Sequence, residues 1–74
     1  MRICTNLKDV KENKLYINDI VEFKRKNIKE KGIIIDKSHQ FKGVYFIQCY
    51  NSKQLVLLNE QFIKKLEVKK CNAI

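Results

Sequence analysis

Catalysis needs a nucleophile with a base beside it, or titratable groups held at different pKa values. The 74-residue sequence offers few such groups. Its one histidine, His39, sits in the polar stretch DKSHQFKG, and its serines, Ser38 and Ser52, fall in segments that read as turns. The carboxylates are scattered singly, and the two glycines, Gly32 and Gly43, form no phosphate-cradling loop. Cys4, Cys49 and Cys71 lie far apart, with no CxxC and no cysteine-histidine pair at zinc spacing. An odd, dispersed set is a poor disulfide framework, and Cys49 reads as a small apolar residue inside a strand. The expectation is a non-enzymatic protein without metal or cofactor.

The chemistry that is present is positive charge. The formal net charge is +8, with 16 Lys and Arg against 8 Asp and Glu. It is segregated. Residues 24 to 31, KRKNIKEK, set Lys24, Arg25, Lys26, Lys29 and Lys31 against Glu30 alone. Residues 64 to 74 set Lys64, Lys65, Lys69 and Lys70 against Glu67 alone. Segregated charge attracts polyanions or an acidic protein surface, and lysines of this kind neutralise phosphates by releasing counterions. Bases need exposed aromatic platforms as well, for which Phe41, Tyr45 and Tyr50 are the candidates. Arginine is scarce, so bidentate base readout is not expected and binding should follow shape and charge.

The elements that position these residues are mostly strands. Gly32 to Tyr50, GIIIDKSHQFKGVYFIQCY, reads as a β-hairpin: two β-prone runs, Ile33 to Asp36 and Val44 to Tyr50, flank a loop over Lys37 to Gly43. On the second strand one face carries Val44, Phe46, Gln48 and Tyr50 and the other Tyr45, Ile47 and Cys49. The Ile33 to Ile35 run and Phe46 are expected to supply core. Ile20 to Arg25 alternates as a half-buried strand after an Asn18-Asp19 turn, and residues 24 to 31 read as a strand end and connection anchored by Ile28. Residues 1 to 7 read as a loose strand and 8 to 15 as a loop or short helical turn. Asn51-Ser52-Lys53 is a tight turn and Gln54 to Leu58 a strand. For residues 59 to 69 two readings stand: an Asn59-capped, two-turn amphipathic helix, or, preferred, one helical turn at Glu60 to Lys64 and a closing strand Leu66 to Lys69.

This layout resembles an SH3-like barrel of the Tudor and KOW kind over Asn18 to Lys69. NDIVEF stands for the first strand and KGIIID for the second, and VYFIQCY, QLVLL, the turn NEQFIKK and LEV complete the rhythm. Asn18 replaces the glycine usual in that family. The second half also resembles the plasmid-borne barrel-type dihydrofolate reductases, without the polar-aromatic pore strand their activity needs. The Gly32-Ile33-Ile34 and Val44 to Ile47 runs resemble small basic Veg-like proteins of spore-forming bacteria. The first resemblance implies an all-β, five-stranded small barrel with a short helical turn before the last strand. Residues 1 to 17 would be an N-terminal strand and loop extension, 18 to 69 the barrel and 70 to 74 a frayed end. Such a barrel places its first and last strands side by side, uniting the two basic segments.

No apolar run approaches the ~20 residues of a membrane span, and the N-terminus does not read as a signal peptide, so a cytoplasmic location is expected. The leading functional expectation is a module binding RNA or DNA through its phosphates, as monomer or homodimer. The competing one is a phage- or mobile-element-encoded inhibitor of a host or defence protein, using the 37 to 43 loop and a strand edge.

Overall fold

The computed structural model describes residues 3 to 36 and 44 to 71. The loop Lys37 to Gly43, with Ser38, His39 and Phe41, and the expected frayed residues Asn72 to Ile74 lie outside them. The described chain runs β1 (Cys4–Lys8), β2 (Lys14–Tyr16), β3 (Ile20–Arg25), β4 (Ile28–Asp36), β5 (Tyr45–Cys49), β6 (Leu55–Leu58), α1 (Glu60–Leu66) and β7 (Lys69–Lys70). β1 and β2 form a two-stranded sheet, and the other strands form an antiparallel sheet ordered β6-β5-β4-β3-β7. The fold is therefore mostly β with one short helix, and the last strand does lie beside the first strand of the main sheet. The expected closure into a barrel is not found: β6 and β7 are opposite edges, with no pairing between them.

Alternation builds the core. Val21 and Phe23 of β3, Ile34 of β4, Ile47 and Cys49 of β5 and Leu58 of β6 point to one side, where Leu15, Ile63 and Val68 close over them. Tyr45 packs against this cluster, whereas Phe46 is on the other face with Gln48; the expected core role of Phe46 is corrected by the pleat, because adjacent residues face opposite ways. Ile34 alone of the isoleucine run is fully buried, as Ile33 and Ile35 share the outer face.

The connection expected over residues 24 to 31 is instead a tight hairpin. Arg25 pairs with Ile28 across Lys26 and Asn27, both at positive φ (52° and 63°), the geometry that matches the twist of flanking strands. Ile28 is no anchor, being 63% exposed at the end of β4.

The C-terminal region takes the longer-helix alternative. Asn59 Oδ1 accepts the Phe62 N–H at 2.7 Å, Glu60 occupies the first turn, and Lys64 and Lys65 the last. Phe62 then meets Phe23 edge-on, ring centroids 5.4 Å apart. Glu67 turns left-handed (φ 53°), and the Val68 N–H bonds to the Ile63 carbonyl, which ends the helix and delays the strand to Lys69. Leu66 belongs to the helix, not to the strand. Asn59→Ala is expected to cost about 1 kcal/mol, read as a lowered thermal midpoint.

Residues 3 to 17 contribute to this core. Leu15 is fully buried, the Val10 N–H bonds to the Val68 carbonyl, and Asp9 accepts the Lys70 N–H at 2.9 Å. β7 is thus held between β3 and the loop after β1. The Cys71 N–H continues its pairing through the Ile20 carbonyl at 2.8 Å.

Candidate nucleic-acid interface

The strand register decides where each cation goes. On β3 and β4, Val21, Phe23 and Arg25 face the core side together with Gly32, Glu30 and Ile28, while Glu22 and Lys24 share the outer face with Lys31 and Lys29. β7 adds Lys69 opposite Glu22 on that outer face. The two basic segments are therefore partly brought together. Lys24, Lys29 and Lys69 border one shallow hollow of ≈ 170 Å³, also lined by Glu22, Phe23 and Glu67. Lys24 stands directly opposite Lys29, and among the described residues no carboxylate comes within ion-pairing distance of these amines or of Lys31. Directly opposed like charges destabilise a sheet pair. An anion between them would remove that cost.

Two expected phosphate ligands are committed elsewhere. Arg25 reaches Glu30 through Nε at 2.8 Å and Nη2 at 3.3 Å, and Nη2 also meets Gln54 Oε1 at 3.3 Å. This fork ties the hairpin to the β5–β6 turn over a hollow of ≈ 460 Å³ that Lys26, Ile28, Asn51 and Ser52 also line. Lys70 is bound inward: its Nζ lies 3.3 Å from Asp19 Oδ2, donates to the Lys14 carbonyl at 3.0 Å and sits 5.4 Å from the centre of the Tyr16 ring. Both cations act as clamps: Arg25 meets Glu30 across its own hairpin, whereas Lys70 meets Asp19 only through tertiary structure.

The other candidate residues lie apart from one another. Lys26 is exposed at the hairpin tip, adjoining the patch. Lys64 lines a different cleft of ≈ 520 Å³ between the β1–β2 sheet and α1, where Lys8, Glu12 and Glu60 also lie, and Lys65 is exposed on the helix. Of the aromatic candidates, Tyr45 belongs to the core side and Phe41 is outside the described residues. Tyr50 is 47% exposed, and its N–H bonds to the Lys31 carbonyl at 2.9 Å, at the border of the basic patch.

The Cys49 and Cys71 thiols are not poised for nucleophilic chemistry. Burial, reinforced by the Glu30 carboxylate, pushes the Cys49 thiol up. Burial, reinforced by Glu22, does the same to Cys71. Among the described residues no three metal-ligating side chains cluster, and no helix is long and apolar enough to cross a membrane.

No protein-family model matches the chain, and no curated protein or solved structure matches it.

Proposed function

We propose that this protein is a small non-enzymatic module, a partly open relative of the SH3-like barrel, that binds RNA or DNA through backbone phosphates on the outer face of β3, β4 and β7. What supports the architectural reading is the meander β3-β4-β5-β6, followed by a short helix and a last strand returning to β3. The observation that carries the functional reading is the Lys24–Lys29 cross-strand pair, extended by Lys31 and Lys69 and flanked by Lys26 and the exposed ring of Tyr50. Amines held on a rigid hairpin neutralise phosphates without ordering loose side-chain stems from several loops, and the ring offers a base one stacking face. Glu22 within the patch limits its charge and argues for modest, salt-sensitive affinity without sequence preference.

Binding of a labelled mixed-sequence single strand should weaken steeply as salt rises from about 50 to 200 mM. K24E/K29E/K69E should lose at least about tenfold more affinity than K8E/K11E/K64E, which changes net charge equally but elsewhere. Equal losses in both variants would reduce the effect to net charge and reject the patch. An absence of binding at low salt, with recovery of a stoichiometric protein from nuclease-treated lysate, would transfer the patch to an acidic protein partner.

A further inference from the structure

The outer face has a second half with a different chemistry. Beyond the lysines, register places Ile20, Ile33, Gln48 and Leu55 in one cross-strand row and Ile35, Phe46 and Leu57 in the next. Leu55 and Leu57 are 44% and 46% exposed, and they belong to β6, the open edge of the sheet. Edge strands are ordinarily blunted by a charge, a proline or a bulge. β6 has none of these: the stretch Gln54 to Asn59 is uncharged and its pairing with β5 is regular.

The hydrogen-bond phase of that edge follows from the adjoining turn. The Cys49 N–H donates to the Gln54 carbonyl at 2.9 Å, making residues 49 and 54 a hydrogen-bonded pair. Such pairs recur at every second residue of an antiparallel ladder. Val56 and Leu58 therefore direct their backbone groups to Ile47 and Tyr45 of β5, while the N–H and C=O of Leu55 and Leu57 point away from the sheet.

We propose that this edge pairs with the same edge of a second copy, giving a two-fold dimer with one continuous sheet. An antiparallel β6 pair centred on Val56 sets Leu55 of each copy opposite Leu57 of the other, so that the free backbone groups of both residues are exchanged. Directly opposed residues share a face, so the four leucines meet on the outer side and cover one another. Charge favours a second copy over an unrelated strand. Just outside the strand, the turn that carries Lys53 at one end of β6 comes beside the start of α1, with Glu60, at the other end of the second copy's β6, twice by symmetry. The basic patch does not oppose the approach: Lys31, on β4, is separated from its counterpart by five strand spacings, roughly 24 Å along the sheet. That exceeds the Debye length of about 8 Å at physiological salt. The dimer directs its two basic patches outward from the shared edge.

Sedimentation or light scattering of the protein alone, over about 1 to 300 μM, reads the result independently of nucleic-acid binding. The wild type should pass from monomer to dimer with concentration. L55K/L57K places like charges opposite one another at both ends of the pair and should be monomeric throughout. L55K/L57E places each new lysine opposite the second copy's new glutamate and should dimerise, with salt weakening it. Circular dichroism checks that both variants are folded. A wild type monomeric over the whole range overturns the proposal, whether or not its edge then captures an unrelated apolar peptide. Identical behaviour of the two double variants overturns it also, because hydrophobicity and not register would then set the outcome.

Discussion

Gly32→Ala should destabilise the protein by about 2 to 3 kcal/mol, a large part of what a domain of this size possesses. Gly32 is buried in β4, the middle strand, between Val21 of β3 and Cys49 of β5. A methyl group there would lie 2.5 Å from Ile47 Cγ2 and 2.7 Å from the Gln48 carbonyl oxygen. Neither neighbour yields cheaply. Ile47 is fully buried among core side chains, and moving Gln48 disturbs the β4–β5 ladder on which β6 depends. Alanine recovers about 0.5 to 1 kcal/mol by restricting the unfolded chain, which is smaller than the overpacking cost. Urea unfolding should therefore show a lower midpoint at unchanged slope, and thermal unfolding a midpoint lower by roughly 10 to 20 °C. An unchanged midpoint would show that β4 and β5 part at this point without cost, contrary to their close approach.

Gly32 also marks where the sequence is readable. The runs around it announce β4 and β5, because apolar residues on both faces of a middle strand leave a continuous signal. Ile20 to Arg25 alternates and is equally plain. The β3–β4 hairpin tip is not, since its inward positions are an exposed isoleucine, Ile28, and Glu30, whose burial depends on Arg25. Without apolar residues at alternate positions, the first half of β4 has the composition of a loop. β2 is obscured for a related reason, having Leu15 as its single buried residue. In the last segment, Leu66 to Lys69 alternates like a strand, but the Asn59 cap starts a helix whose apolar stripe of Phe62, Ile63 and Leu66 runs through the same residues. Capping and packing on Phe23 outweigh the short alternation.

The candidate interface divides in the same way. Clustering of lysines is a property of the chain, and the return of the last strand to the first is what the resemblance to an SH3-like barrel implies. Which cations remain free depends on contacts distant in sequence. Gln54 meets Arg25 and Asp19 meets Lys70 only once the sheet and its end loops are assembled. No local pattern distinguishes Lys69, which faces outward, from Lys70, which faces inward; one step of the pleat does.

The buried carboxylate of Asp9 should make stability depend on pH in a way that one substitution removes. Its Oδ1 accepts the N–H groups of Lys11 at 2.9 Å and Asn13 at 2.8 Å, and its Oδ2 accepts the Asn13 amide at 3.2 Å and the Lys70 N–H at 2.9 Å. Burial alone pushes the carboxyl up, but the donors from Lys70, Asn13 and Lys11 together outweigh it and hold the pKa below its ordinary 3.8. A pKa lowered by folding stabilises the folded state fully above the unfolded value and loses that contribution as pH falls through the folded value. Asp9→Ala leaves several part-buried N–H groups without their acceptor and should cost about 1 to 3 kcal/mol near neutral pH. Asp9→Asn keeps the shape while turning a donor toward donors. Its deficit relative to wild type should be complete above about pH 5.5 and shrink as the pH drops below 3.8. Parallel curves for wild type and Asp9→Asn, read from urea midpoints across that range, would assign the acid sensitivity to other carboxylates. Because Asp9 binds the N-terminal turn to β7, and Leu15 inserts the same segment into the core, its loss should lower the one cooperative transition and not release the N-terminal strands alone.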